Sequence, residues 1–347
     1  MRLLEQQNFK NERAVIRVDF NVPLNEELEV TDKTRIQAAK PTIEYILSQG
    51  GSCVLLSHLG RPDGRDPKLS LEHIVSVVSS ILGVDVNFCS QVVGAEAEAQ
   101  ATALKPREVL LMENLRYHKE ETKGDEAFAQ QLARLGTVYV NDAFGTAHRA
   151  HASTTIMAKY FEGKKCFGSL LASEVKAIEK VMKDGESPVV AILGGAKVSS
   201  KITIIESLLD KVDHLIIGGG MVYTFTKAQG GTVGNSICEP DYCDYALELL
   251  EKAKAKGVEI HLPVDVIAGD DFSNDANQKV FESNSIADGW EGLDAGPKSC
   301  EIFRELILKC KTILWNGPLG VFEFPNFAQG TISIGESIGE ATKSGAF

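Results

Sequence analysis

Four short stretches set cationic and polar side chains directly after apolar runs. "RVDFNVPL" brings Asp19 and Asn21, and "LLSHLGRP" brings His58 and Arg61. "LLMENLRYHKEE" brings Asn114 and Arg116, and "VNDAFGTAHRAH" brings His148 and Arg149. Arg35 begins a helical pattern in "TDKTRIQ". The chain as a whole carries a net charge of −12, so these cations run against its composition. Guanidinium forks grip carboxylates and phosphates bidentately. Gathered on one rim, the four stretches would hold a small, highly anionic ligand. Asp19 would repel an anion unless the ligand also carries a hydroxyl, whose proton a carboxylate can accept. His151, the last histidine of its stretch, reads as structural, as most lone histidines do.

The second half offers different chemistry. "ILGGAKVSSK", "IIGGGMVYTF" and "WNGPLGVFE" end apolar runs in glycine. Glycine lets a backbone approach a ligand closely. Lys197 and Lys201 flank the start of a helix, where backbone N–H groups already favour phosphate. Neither GxxxxGK[ST] nor GxGxxG occurs, so the best-known nucleotide fingerprints do not apply. The expectation is an Arg-rich half holding a small anion and a Gly/Lys half holding a phosphorylated ligand. Residue counts agree: ten of eleven Arg lie at or before Arg149, while eighteen of twenty-five Lys lie beyond it.

These groups need elements to position them. The runs "AVIRVDF", "SCVLLSH", "VDVNF", "EVLLMEN" and "TVYVNDAF" predict strands in the first half. "SPVVAILGG", "DHLIIGGG", "GVEIHLPVD" and "KTILWNGP" predict strands in the second. Amphipathic segments such as "TRIQAAKPTIEYILSQG" and "DYALELLEKAKAKG" alternate with them. Continuous apolar strands separated by helices imply an α/β fold with parallel, doubly wound sheets. Ligands on such sheets lie at the carboxyl ends of the strands. A length of 347 residues suggests two domains. The expected division is 1–168 and 186–347, joined by a helix over 169–185 whose apolar stripe includes Leu171, Val175 and Ile178.

Other classes are excluded by composition. No apolar run is long enough to cross a membrane, and an acidic chain does not suit nucleic-acid or membrane-surface binding. Seven Cys without CxxC spacing suggest buried or free thiols in a reducing cytoplasm and argue against a zinc site. Nothing points beyond a monomer.

"RVDFNVPL", "SHLGRP", "ENLRYHKEE", "VNDAFGTAHRAHAST", "ILGGAKVSSKI", "IIGGGM" and "WNGPLGVFE", in this order, resemble the phosphoglycerate kinase family along the whole chain. The resemblance implies a two-domain glycolytic phosphotransferase that acts on a carboxyl group. It would pass a phosphoryl group between 1,3-bisphosphoglycerate and ADP, giving 3-phosphoglycerate and MgATP. It implies that Asp19 and Asn21 meet the glycerate end of the substrate. Arg35, His58, Leu59, Gly60, Arg61, Arg116, His148 and Arg149 would complete that site, with Arg35 facing the transferring group. Lys197 and Lys201 would meet the nucleotide phosphates, Lys197 also stabilising the moving phosphoryl. Gly194, Gly195, Gly218, Gly219, Gly292, Leu293, Asn316, Pro318 and Leu319 would line the adenosine site, and Glu323 would meet the ribose. Arg35 and Lys197 are thus the expected catalytic pair, with closure of the two domains as a condition of chemistry.

The chain ends "SIGEATKSGAF", where the family continues into a strand and a "GGGD" loop whose Asp ligates magnesium. The resemblance therefore implies an incomplete second domain, no magnesium ligand within the sequence, and weak or absent activity. Two other readings remain open at this point. One is a dinucleotide-dependent dehydrogenase; the other is a non-catalytic two-domain protein that closes on an anion.

Overall fold

The computed structural model describes residues 2–347, which divide into two units, residues 2–177 and 178–347. The division falls within a single long helix.

In the first unit the strands are β1 (Arg13–Arg17), β2 (Ser52–Leu56), β3 (Val86–Cys89), β4 (Val109–Met112), β5 (Val138–Asn141) and β6 (Lys165–Phe167). The helices are α1 (Thr34–Ser48), α2 (Val75–Leu82), α3 (Ala95–Ala103), α4 (Lys119–Lys123), α5 (Glu126–Ala133) and α6 (Phe144–Ala147), and α7 (Ser169–Asp184) runs on into the second unit. All six strands are parallel, in the order β3-β4-β2-β1-β5-β6. Alternate residues feed two cores. Ala14, Ile16, Cys53 and Leu55 face one, while Val15, Val54 and Leu56 face the other. Burial on both faces is why these strands read as unbroken apolar runs. Each fully buried Val, Ile or Leu contributes roughly 1.5–3 kcal/mol.

The second unit adds β7 (Val189–Leu193), β8 (His214–Ile217), β9 (Thr232–Val233), β10 (Glu259–His261), β11 (Asp265–Gly269), β12 (Gln278–Glu282), β13 (Ser285–Ile286), β14 (Glu291–Ala295) and β15 (Thr312–Asn316). Its helices are α8 (Ile202–Leu208), α9 (Met221–Ala228), α10 (Cys243–Ala255), α11 (Pro297–Ile307) and α12 (Gln329–Lys343). A parallel sheet, β10-β8-β7-β15, again separates two cores, with Val189, Ala191 and Leu193 on one side and Val190 and Ile192 on the other. The expectation of purely parallel sheets needs correction here. β11 pairs antiparallel with both β12 and β14, forming a three-stranded sheet, and β9 and β13 form a small parallel pair. β12 is polar and largely exposed, so it carries no apolar run. Phe347 donates its N–H to Lys311 O and accepts from Ile313 N, continuing the ladder beside β15.

Candidate functional site

The strand order explains how the first four stretches meet. β4, β2, β1 and β5 are neighbours and parallel, so their carboxyl ends share one edge. There Asp19, Asn21, Arg35, His58, Gly60, Arg61, Arg116, Gly145, Thr146 and Arg149 line a cavity of about 260 Å3. That is small for a ligand pocket and suits a compact molecule.

The loops are tied to one another by buried amides. Asn114, fully buried, accepts from Leu59 N and Arg116 N and donates to Leu59 O and Leu69 O, at 2.8–3.2 Å. Asn21 accepts from Gly60 N at 2.7 Å, and Arg116 Nη1 donates to Gly60 O at 2.6 Å. Gly60 has φ +64°, a left-handed turn that costs glycine little and presents both backbone groups to these partners. Ser57 Oγ accepts from Phe20 N. Backbone and side chain thus fix the rim before any ligand arrives.

A buried arginine lies beneath the rim. Arg17, the last residue of β1, is 1% exposed. Its Nε donates to Ser153 Oγ at 2.8 Å, and its Nη2 lies 3.0 Å from His58 Nδ1. Guanidinium has only donors, so His58 Nδ1 accepts and the ring proton sits on Nε2. Ser153 passes the link to buried Glu121 at 2.6 Å. Burial, then the Arg17 charge, pushes His58 down to about 2, which keeps it neutral. Burial, then Arg17, Arg149 and Arg61, lowers the Arg116 guanidinium. A site whose cations destabilise one another is set to take up an anion.

Arg35 pairs with Asp19 at 2.7 Å while remaining half exposed. An exposed pair of this kind is worth about 0–1 kcal/mol, so it orients Arg35 without locking it away from a ligand. Arg61 makes no hydrogen bond or ion pair among the described residues. Two expected residues stand apart. His148 is exposed and accepts from Arg149 Nε at 3.3 Å, outside the cavity lining. Leu59 is buried and contributes through its backbone. The lining takes Gly145 and Thr146 instead, less than a turn before His148. Neither they nor Arg17 stood out in sequence. The signal for Arg17 was available, as a charge following the apolar Ala14–Ile16 in a strand.

In the second unit the Gly-rich ends of β7, β8 and β15 meet. Gly195, Gly219, Gly292, Leu293, Pro318, Leu319 and Glu323 line a cavity of about 420 Å3 together with Ala196, Tyr223, Ile237, Phe272 and Glu291. Gly194, Gly218 and Asn316, also expected there, are not among the lining residues, and the two glycines pack tightly against Pro318 and Leu319. A Cβ on Gly194 would lie 1.8 Å from Pro318 O, and one on Gly218 would lie 2.6 Å from Leu319 Cγ. On Gly292 it would lie 2.0 Å from the Tyr223 hydroxyl. Lys201 leans over Gly195 and donates to Asn316 Oδ1, and burial lowers its ammonium. Lys197 precedes a single 3-10 turn, Val198–Ser200, and its ammonium makes no ion pair among the described residues. The sequence did not reveal Tyr223, Ile237 or Phe272, because α9, the segment after β9 and the β11–β12 connection were not read as elements.

Fold and cavities together define an α/β protein with a cationic cavity and a glycine-lined cavity at the carboxyl ends of its parallel strands. Comparison with known proteins then narrows the class. The family model described as "Phosphoglycerate kinase" matches residues 4–347. The chain is 50% identical to "Phosphoglycerate kinase" of Porphyromonas gingivalis, over 99% of this chain and 88% of that one. It is 48% identical to "Phosphoglycerate kinase, cytosolic" of Nicotiana tabacum, over 99% and 85%. Among solved structures it resembles phosphoglycerate kinase from Coxiella burnetii, with TM-score 0.77 and 38% identity over 97% of this chain and 85% of that one. The enzyme from Pyrococcus horikoshii gives TM-score 0.84 and 28% identity over 98% and 86%. The chain belongs to the phosphoglycerate kinase family. Its function is the family's reversible phosphoryl transfer from 1,3-bisphosphoglycerate to ADP, giving 3-phosphoglycerate and ATP in glycolysis. That sets aside the dehydrogenase and the non-catalytic binder. No helix among the described residues is long and apolar enough to cross a membrane.

Proposed function

We propose that the first unit holds the phosphoglycerate and the second the nucleotide, each at the strand ends described above. The convergence of four adjacent strand ends on one cationic cavity carries this reading. Arg61, Arg116 and Arg149 hold the non-reacting phosphate, and Arg116 is already fixed by its bond to Gly60. His58 donates from Nε2 while remaining neutral. Asp19 and Asn21 receive the glycerate hydroxyl and carboxylate end. Arg35 faces the transferring group.

In the second unit the glycine floor lets the nucleotide lie against backbone, with Phe272, Ile237 and Leu293 offering apolar contact and Glu323 reaching the ribose. Lys201 and Lys197 take the phosphates. Magnesium enters as part of the nucleotide substrate, neutralising polyphosphate charge. The donors beside the cavity, two ammonium groups and glycine amides, suit that partly neutralised polyphosphate. The carboxylates that line it, Glu291 and Glu323, do not form a cation cage.

An acyl phosphate is reactive and leaves a stable carboxylate, so the chemistry needs no strong base. It needs alignment and neutralisation of the equatorial oxygens. Arg35 and Lys197 supply that charge when both ligands are bound. In a coupled assay Arg35→Ala should lower kcat by about 10²–10³ with the KM for ATP little changed, since it removes one preorganised electrostatic contact. An unchanged kcat would overturn the role given to Arg35. Calorimetry of the unaltered chain with 3-phosphoglycerate and with MgADP tests the two assignments separately.

A further inference from the structure

A second cluster of chemistry-bearing side chains lies at the opposite end of a strand from the glycine floor. His214 opens β8, and Glu259 and His261 are the first and third residues of β10. The two strands are parallel neighbours in which Glu259 pairs with His214 and His261 with Ile216. Strand residues two apart share a face, and so do directly paired residues. All three side chains therefore project to one side. Leu215 and Ile260, between them, pack into the core on the other.

The donor atoms converge. His214 Nδ1 lies 3.2 Å from His261 Nε2 and 3.4 Å from Glu259 Oε2, and His261 Nε2 lies 3.7 Å from Glu259 Oε2. A tetrahedral ion with bonds of about 2.0–2.1 Å holds its ligands about 3.3 Å apart. The triangle already has that size. The imidazoles are 20% and 23% exposed, so their rings are held by surrounding protein. Among the described residues this is the one trio of such groups with converging donor atoms.

We propose that His214, Glu259 and His261 form a site for a divalent transition-metal ion, with zinc the best match, that fastens edge strand β10 to β8. Two imidazoles and one carboxylate select zinc, nickel or copper over magnesium and calcium. Three protein ligands leave the fourth position to water. The site lies about 13 Å from Gly218, counting four residues of strand at about 3.3 Å each. The ion is therefore separate from the magnesium that accompanies the nucleotide. It ties the terminal strand of that sheet to its neighbour through side chains as well as backbone.

Titration of the full chain with zinc chloride should reveal one site per chain and raise the melting temperature, and magnesium chloride should not mimic the rise. Affinity should fall about tenfold or more in Glu259→Gln and in His261→Asn, by analogy with the cost of removing groups around metal sites. Cobalt(II) should give weak visible bands without the strong near-ultraviolet band of thiolate ligation, which separates this site from the seven cysteines. Glu259 is 70% exposed, so Glu259→Gln should keep its fold and kinase activity and report metal affinity alone. No zinc binding, binding equal in all three proteins, or a thiolate band at the first equivalent would each overturn the proposal.

Discussion

At the scale of residues, the cationic cavity of the first unit is organised by groups that do not line it. Arg17 is buried at full charge, linked through Ser153 to Glu121, and its guanidinium fixes the tautomer of His58. This has a consequence for stability. His58 sits at about 2 in the folded chain, against roughly 6.5 when unfolded. Between those values the unfolded state binds a proton that the folded state refuses. Stability therefore rises with pH up to about 6.5 and is lost as pH falls below it, by at most roughly 1.4 kcal/mol per pH unit from this group. His58→Asn keeps an acceptor for Arg17 and removes the titration. Thermal melts between pH 6.5 and 4 should show a shallower slope for the variant, and parallel curves would refute the role given to His58. Sequence pointed to His58 and Arg116 because each follows a strand. It did not reveal Arg17, because a charge inside a strand reads as an interruption rather than as a foundation. It also pointed to His148, which lies just past the short helix α6 and is exposed.

At the scale of elements, legibility followed burial. The parallel strands that carry both sites are covered on two faces, so their apolar runs were unmistakable. α9 escaped because Met221 to Thr226 are all buried, leaving no polar face to mark a helical period. β6 is only three residues long, and β12 is polar and exposed. The antiparallel sheet was missed for that reason, although β14 delivers Gly292 and Leu293 to the nucleotide cavity. Where elements meet as bare backbone, little movement is possible. A Cβ on Gly194 would collide with Pro318 O, an atom that no rotamer change can displace. Gly194→Ala should cost on the order of 1–3 kcal/mol. Calorimetry should show weaker MgADP binding with 3-phosphoglycerate binding retained. Equal loss of both would mean that the damage is global.

At the scale of the molecule, each unit has its own sheet and its own pair of cores, so each is a candidate to respond to its ligand separately. Ligand present at about 100 times its Kd stabilises the state that binds it by about 2.7 kcal/mol. Hydrogen exchange should thus slow within residues 2–177 on adding 3-phosphoglycerate, and within 178–347 on adding MgADP. Protection that ignores this division would contradict the assignment of substrates to units. The tight packing at Gly194 also bears on how such a molecule can change over generations. Every single-nucleotide change that replaces glycine by another residue installs a side chain, and at Gly194 the first carbon of that side chain meets the Pro318 carbonyl oxygen, which cannot swing aside. Mutation by single steps is closed at that point. Inherited shifts in what the neighbouring cavity accepts are open at Ile237, Phe272 and Glu323, which line it with side chains that can be exchanged one codon at a time.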